Sequence, residues 1–176
     1  MVIKELRPVF SPELVQSRVQ ELAAEIDAVY QGKPLLIICV LKGGFMFFAD
    51  LVRAMKHDDV QVDFVRLSSY GSATSSSEHI TFNKDVEIPL QGKDVLVVED
   101  MIDSGLTMEF LLSTLAQRGA KSLRLAILID KHERRKVAIK PDFVGFTLEQ
   151  GFIVGCGLDY AERFRTLPGI YEVIPE

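Results

Sequence analysis

The sequence predicts an α/β fold whose central, mainly parallel sheet is flanked by helices. Short apolar runs at 35–40, 95–98 and 125–129 are typical of strands buried on both faces, as in parallel sheets. Between them lie segments whose apolar residues recur every three or four positions, which indicates amphipathic helices. Strands that alternate with helices in this way form parallel sheets.

The first helix has clear start and stop signals. Ser11 suits the capping position, Pro12 suits the first helical position, and Gly32 suits the end. Its predicted buried stripe is Val15, Val19, Leu22, Ile26 and Val29.

The later elements follow the same logic. Helices are predicted over 45–55 and 108–118, with Gly119 ending the second. Strands are predicted over 60–70, 122–129, 141–148 and 152–158, and the run "KHERRK" after Asp130 indicates a charged turn. One face of the 45–55 helix is expected to carry Phe45, Phe48, Val52 and Met55.

Composition bounds the class of protein. The 176 residues fit a single domain spanning 1–176, with 48% apolar residues and a net charge of −5. This charge argues against a nucleic-acid or membrane partner. Cys39 and Cys156 lie far apart, which favours reduced thiols and a cytoplasmic location. The N-terminal ten residues lack a signal-peptide core, and the longest apolar run, 35–41, is too short to span a bilayer.

Three predicted strands end in residues suited to ligand binding: "LKGG" at 41–44, "EDMIDSGLT" at 99–107 and "IDK" at 129–131. Ligands of open α/β sheets bind beyond the carboxyl ends of the strands. If these strands are neighbours, the three segments form one rim.

The 99–107 segment combines two features. Glu99 and Asp100 can accept hydrogen bonds from a vicinal diol or coordinate Mg²⁺, although acidic strand ends are often merely solvated. Gly105 at a predicted helix start indicates an anion site, best suited to phosphate, unless it is an ordinary helix cap. A ribose between a phosphate and the acidic pair would explain both features.

The other two segments are weaker signals. Gly43 and Gly44 offer backbone amides for a second anion such as pyrophosphate, but many such pairs are only tight turns. Lys131 can donate to a carbonyl oxygen, or it can simply be solvated. The serine-rich stretch 71–85 is either a disordered surface loop or a lid, with some β structure expected around Ile80 and Phe82.

The stretch "VLVVEDMIDSGLT" at 95–107 resembles the phosphoribosyl-pyrophosphate-binding motif of type I phosphoribosyltransferases. "VLKGGFMFFADL", "VDFVRLSSYG", "KPDFVGF" and "FIVGCGLDYAERFR" resemble the hypoxanthine-guanine branch of that family, in the same order and at suitable spacing. The resemblance covers about residues 40–165. It implies the type I fold with a small hood from about 1–10 and 141–176, and a flexible loop over about 70–84.

The resemblance also implies roles on the donor side of the site. Glu99 and Asp100 would hold the ribose hydroxyls and, with Asp159, Mg²⁺. The 5′-phosphate would be cradled by Asp103, Ser104, Gly105, Leu106 and Thr107. Leu106 departs from relatives that carry a basic residue there, so one phosphate contact is expected to be lost.

Pyrophosphate would be held by Arg165 and by the loop of Leu41, Lys42 and Gly43, with a non-proline cis peptide between the first two. Ser69 and Tyr70 would head the mobile loop.

On the purine side, the resemblance makes Asp103 the general acid/base facing N7. Lys131 would donate to the exocyclic O6, Phe152 would stack on the ring, and the Ile153 backbone would contact its edge. The implied reaction moves the phosphoribosyl group to N9 of hypoxanthine or guanine, giving IMP or GMP and pyrophosphate, in a homodimer or homotetramer.

Two other interpretations remain at this point. One is a non-catalytic nucleotide-binding regulatory protein on the same fold, with RNA as a conceivable partner. The other, from pattern alone, is a phosphoacceptor receiver domain, which also places acids and a lysine at strand ends. Asp103, Lys131 and Phe152 argue against the first, and "LKGG" has no role in the second.

Overall fold

Twelve helices and strands lie within residues 3–70 and 79–176, the part of the chain that the computed structural model describes. In chain order they are β1 (Ile3–Phe10), α1 (Pro12–Tyr30), β2 (Leu35–Leu41), α2 (Phe45–Ala54), β3 (Val60–Tyr70), β4 (His79–Lys84), β5 (Asp94–Ile102), α3 (Leu106–Gln117), β6 (Ser122–Lys131), β7 (Phe143–Leu148), β8 (Ile153–Val154) and β9 (Ile170–Pro175).

The main sheet has six strands in the order β4-β3-β2-β5-β6-β7. Strands β3, β2, β5, β6 and β7 are parallel to one another, and β4 is an edge strand antiparallel to β3. The predicted α/β fold with a mainly parallel sheet is therefore confirmed.

Helices cover both faces of this sheet. In β2, Leu35, Ile37 and Cys39 belong to the apolar cluster that also contains buried residues of α1 and α2. Leu36, Ile38 and Val40 belong to the opposite cluster, which contains the buried residues of α3. Because successive strand residues point to opposite faces, a strand covered on both sides must be apolar throughout.

Helix α1 follows its sequence signals. The Ser11 hydroxyl accepts a hydrogen bond from the Leu14 amide at 3.3 Å, and Gly32 adopts a φ of +69° just beyond the helix. The buried face is Val15, Val19, Leu22, Ala23, Ile26 and Tyr30, which contains four of the five predicted positions.

The buried face of α2 differs from the predicted one. Phe47, Phe48 and Leu51 are its buried residues, while Phe45 is 38% exposed. Because α2 contacts α1 as well as β2 and β5, its buried face is centred about a third of a turn from Phe45.

A second sheet, in the order β1-β9-β8, brings the two ends of the chain together. Its strands are antiparallel, with Leu6 opposite Val173 and Ile153 opposite Glu172. Residue 141 is too early a start for the expected hood, because β7 pairs with β6 and so belongs to the main sheet. The strand expected over 152–158 is only the two residues of β8, since the chain then turns through Gly155 and Gly157, both at positive φ.

The flexible loop expected over 70–84 also needs correction. Residues 79–84 form β4, which pairs with β3 through partners such as Ser68 and Thr81. The rest of the expected loop, 71–78, lies outside the described residues. Across the described ranges, no helix is long and apolar enough to cross a membrane.

Candidate active site

The three predicted ligand segments meet at one edge of the main sheet. Strand β5 lies between β2 and β6 and is parallel to both, with Cys39 opposite Val98 and Ile102 opposite Asp130. Parallel neighbours end on the same side, so the segments after β2, within and after β5, and at the end of β6 form one rim. This arrangement confirms the condition on which the rim prediction depended.

Glycines let the first two segments touch. A Cβ atom added to Gly43 would lie 1.7 Å from Asp100 Oδ2, and one added to Gly157 would lie 2.0 Å from the Gly43 carbonyl oxygen. No side chain fits in either place, so the loop after β2 packs directly against the acidic pair. The peptide bond between Leu41 and Lys42 is cis.

Glu99 and Asp100 are half-buried neighbours near the end of β5. Each carboxylate accepts a hydrogen bond from the next amide in the chain, that of Asp100 at 3.0 Å and that of Met101 at 2.8 Å. Burial raises the pKa of both side chains, and the charge of Asp100 raises the pKa of Glu99 further. The positive charge of Arg165 opposes this rise in the pKa of Asp100. The pair is therefore short of positive partners.

The loop after β5 has the geometry of an anion site. Gly105 adopts a φ of +85° and precedes α3, where it provides no side chain to cap the first turn. The Ser104 hydroxyl lies 3.4 Å from the Leu106 amide, and the Glu109 amide bonds to the Gly105 carbonyl. Amides of the first helical turn without partners inside the helix, together with the helix dipole, favour an anion. Thr107 lies in this first turn.

Asp103 stands at the centre of the rim. Its Oδ1 is buried and has no hydrogen-bond partner among the described residues. A buried carboxylate oxygen without a donor is costly, so a donor from a ligand would stabilise it.

Arg135 fixes the backbone around Asp103. Its guanidinium donates to the carbonyl oxygens of Asp103 at 3.1 Å, Ile102 at 3.3 Å and Lys131 at 3.0 Å, and it forms an ion pair with Asp130. A single side chain therefore joins the carboxyl ends of β5 and β6. Sequence reasoning missed this residue, because nothing in a charged turn marks one arginine as inward-facing.

Lys131 ends β6 with its side chain only 6% exposed. Its ammonium pairs with Glu133 at 3.0 Å. Glu133 was also missed, since it lies in the same charged turn. With this one carboxylate partner among residues 3–70 and 79–176, the Lys131 ammonium still has two donors to offer.

Phe152 and Ile153 lie where β8 begins. The Phe152 ring is 44% exposed and meets Tyr160 edge-on at 5.6 Å between centroids. Ile153 is buried and pairs with Glu172 of β9. An exposed aromatic ring with a supporting ring behind its edge is suited to stacking on a flat ligand.

An ionic network joins the loop after β2 to the segment 157–165. Arg165 pairs with Asp159 at 2.8 Å and with Glu162 at 3.1 Å, and it donates to the Gly157 carbonyl at 2.7 Å. Lys42 also pairs with Glu162, at 3.1 Å. Two cations thus stand beside the rim, each paired with carboxylates of the 159–162 segment.

The three expected metal ligands do not form a cluster. The Asp159 carboxylate pairs with Arg165 and accepts a hydrogen bond from the Glu162 amide. Among residues 3–70 and 79–176, no group of three or more His, Cys, Asp or Glu side chains is placed to hold a metal. Mg²⁺ fits such a site only in its usual manner, with one or two carboxylates, water and substrate oxygens. Glu99 and Asp100 are suited to that role.

Ser69 and Tyr70 end β3, where their backbones pair with Ile80 and His79 of β4. Because β3 is parallel to β2, these two predicted ligand residues lie at the same end of the sheet as the rim.

Together, the parallel sheet, the anion loop and the adjacent acidic pair define a class of α/β proteins that bind a phosphorylated sugar. Comparison with known families gives the same class, since the phosphoribosyl transferase domain model matches residues 12–161. The hypoxanthine-guanine phosphoribosyltransferase of Bacillus subtilis is 47% identical over 91% of this chain and 88% of its own length. The hypoxanthine phosphoribosyltransferase of Escherichia coli K12 is 41% identical over 98% of both chains.

A solved hypoxanthine-guanine phosphoribosyltransferase from Bacillus anthracis superimposes with a TM-score of 0.90 and 44% identity, covering 98% of this chain and 99% of its own. This chain therefore belongs to the phosphoribosyltransferase family, in its hypoxanthine-guanine branch.

Proposed function

We propose that this chain is a purine-salvage enzyme that transfers the 5-phosphoribosyl group of phosphoribosyl pyrophosphate to N9 of hypoxanthine or guanine. The products are IMP or GMP and pyrophosphate. The observation that carries the proposal is the placement of Asp103. Its buried Oδ1, which has no hydrogen-bond partner in the described part of the chain, lies three residues after the acidic pair and beside the strand that ends in Lys131.

Phosphoribosyl pyrophosphate, the donor substrate, is held by hydrogen-bond donors at its phosphate and by hydrogen-bond acceptors at its ribose. Amides from Ser104 to Thr107 bind the 5′-phosphate, and the Glu99 and Asp100 carboxylates accept hydrogen bonds from the ribose hydroxyls. When the bond to pyrophosphate lengthens, positive charge develops on the ribose ring. The nearby carboxylates stabilise that charge because they are already held in place.

The leaving group meets cations and amides. Arg165 and the loop of Leu41, Lys42 and Gly43 hold pyrophosphate once it displaces Asp159 and Glu162 from the two cations. Bound Mg²⁺ would add charge neutralisation at the pyrophosphate oxygens.

The base is oriented by Lys131 at O6, by the Phe152 ring and by the backbone of Ile153. Adenine has an amino group at position 6, which cannot accept the lysine proton, so the site selects 6-oxopurines. As N9 attacks C1′ and the bond to pyrophosphate breaks, the Asp103 carboxylate takes the proton from N7. Such general acid/base help contributes about 10²–10⁴-fold to the rate.

The test is pyrophosphate release from the purified protein with hypoxanthine, phosphoribosyl pyrophosphate and Mg²⁺. Release that depends on the base, with IMP as co-product, is the expected result. No release with hypoxanthine, guanine or xanthine would contradict the proposal. Binding of a nucleotide without turnover would instead favour the regulatory alternative.

We further propose that the enzyme works as a homodimer or homotetramer in a reducing, cytoplasmic compartment. The Phe45 ring, 38% exposed at the start of α2, supplies an apolar contact, and Cys39 and Cys156 are both free thiols. Light scattering after size-exclusion chromatography is expected to give a mass two or four times that of the chain. A monomer at micromolar concentration would contradict the assembly.

A further inference from the structure

We infer that Glu133 sets the preference among 6-oxopurines by neutralising the Lys131 ammonium, so that neutral bases are favoured over anionic ones. The inference rests on the proposed function, in which Lys131 donates to O6. It starts from one contact, the ion pair between Lys131 Nζ and Glu133 Oε2 at 3.0 Å.

The pair combines a buried cation with an accessible anion. The Lys131 side chain is 6% exposed, whereas that of Glu133 is 42% exposed. Lys131 lowers the pKa of the Glu133 carboxyl, with a smaller contribution from Arg134, so the carboxylate remains charged at neutral pH. The base-facing end of β6 therefore presents a hydrogen-bond donor with little net charge.

The neighbouring charges have other partners. Asp130 pairs with Arg135 and with His132 at 3.1 Å, and Glu149 faces His132 at 3.7 Å. Among the ion pairs of the described residues, Lys131 contacts one carboxylate, that of Glu133. The charge that a bound base meets at O6 is therefore set in part by this ion pair, beside the Asp103 carboxylate proposed to face N7.

Purine bases differ in charge near neutral pH. Hypoxanthine and guanine are neutral there, whereas xanthine loses a ring proton close to neutrality. A neutral base needs only the donor that Lys131 supplies. An anionic base would gain from an unpaired ammonium but is repelled by the adjacent carboxylate. Glu133 therefore disfavours xanthine relative to hypoxanthine, and does so only where xanthine is ionised.

The test compares the wild-type enzyme with Glu133→Gln, which removes the charge and retains the shape. The quantity measured is the inhibition constant of xanthine against hypoxanthine divided by the KM of hypoxanthine, below and above the pKa of xanthine. This ratio needs no turnover of xanthine. The matched control is Glu149→Gln, the same change on the adjacent loop, 82% exposed and in contact with His132 rather than Lys131.

Above the pKa of xanthine, Glu133→Gln is expected to lower the ratio about tenfold, a size that allows for screening at a half-exposed carboxylate. Below that pKa, and in Glu149→Gln at either pH, the ratio is expected to stay within about twofold of wild type. The KM for phosphoribosyl pyrophosphate should not change.

Three results would overturn the inference: an unchanged ratio in Glu133→Gln, an equal change on both sides of the xanthine pKa, or an equal change in Glu149→Gln. Each of these requires an active wild-type enzyme. A wild-type protein that releases no pyrophosphate with hypoxanthine would overturn the proposed function, and this inference with it.

Discussion

Gly43 and Asp100 approach so closely that a single added methyl group would overlap the carboxylate, with the new Cβ 1.7 Å from Oδ2 and 2.5 Å from Cγ. The φ of Gly43 lies outside the positive range, so its backbone suits any residue and the obstacle is space alone. This contact couples the loop proposed to hold pyrophosphate to the residues proposed to hold the sugar. A change at Gly43 must therefore move one of the two.

Gly43→Ala is predicted to lower kcat/KM for phosphoribosyl pyrophosphate about 10²-fold, the cost of displacing reacting groups by an ångström. Steady-state pyrophosphate release measures it. The control is Gly92→Ala, just before the amino end of β5 and so at the end of the sheet opposite the rim, where an added Cβ meets nothing within 4 Å. At a φ of +73° that variant should lose about 1–2 kcal/mol of stability but keep its activity. Equal activity of the two variants would contradict the role of the contact.

Asp103→Asn is predicted to lower kcat about 10²–10⁴-fold while the Kd for phosphoribosyl pyrophosphate changes little, because the backbone amides that bind the phosphate remain. Single-turnover kinetics and calorimetric binding separate the two effects. An exposed acid far from the rim, Asp58, provides the control as Asp58→Asn. Comparable losses in turnover and donor affinity would show that Asp103 binds the donor rather than moving the proton.

Glu99 should lower the stability of the free protein at neutral pH. Its pKa is raised in the folded state by burial and by Asp100, against an ordinary value of 4.5. The folded protein therefore holds a proton that the unfolded chain releases, and stability falls as pH rises from 4.5 through the folded pKa.

Glu99→Gln removes this penalty. It is predicted to raise the free energy of unfolding by on the order of 1 kcal/mol at neutral pH, with the gain vanishing below the ordinary pKa. Urea titrations across pH measure the change, beside the exposed control Glu5→Gln. A destabilised variant, or a gain that grows as pH falls, would contradict the account. Donor binding should weaken in the same variant, since a ribose acceptor loses its charge.

Arg135→Ala is predicted to cost about 2–4 kcal/mol of stability, because four carbonyl oxygens and the Asp130 carboxylate lose the hydrogen bonds of its guanidinium. Arg134→Ala removes an equal charge from an exposed neighbour and should cost little. Chemical denaturation of both variants provides the comparison. Equal stabilities would show that the clamp between β5 and β6 contributes nothing.

The parts of the fold that follow from local pattern were predictable. Strands β2, β5 and β6 are apolar throughout because helices cover both faces, and α1 has a cap, a periodic stripe and a terminal glycine. Strands β1 and β9 were not foreseen, since they exist only because the chain ends meet. Arg7 and Glu172 form an ion pair between them across almost the whole sequence.

The functional site was likewise predictable only in part. Its anion loop and acidic pair are contiguous along the chain, so the pattern of residues 99–107 by itself indicates a sugar-phosphate site. Glu133 and Arg135 escaped notice because their partners are set by the path of the 132–139 turn rather than by spacing. The ion pair between Asp159 and Arg165 was also beyond prediction, because it depends on how the chain turns after β8.

The proposed function depends above all on residues 99–107, which we propose hold the sugar through carboxylates and its phosphate through main-chain amides. The most direct test is a crystal structure of the enzyme with phosphoribosyl pyrophosphate and Mg²⁺. We expect ribose hydroxyls within hydrogen-bond distance of Glu99 and Asp100, and the 5′-phosphate at the start of α3. A donor bound with its ribose and phosphate away from this segment would contradict the proposal.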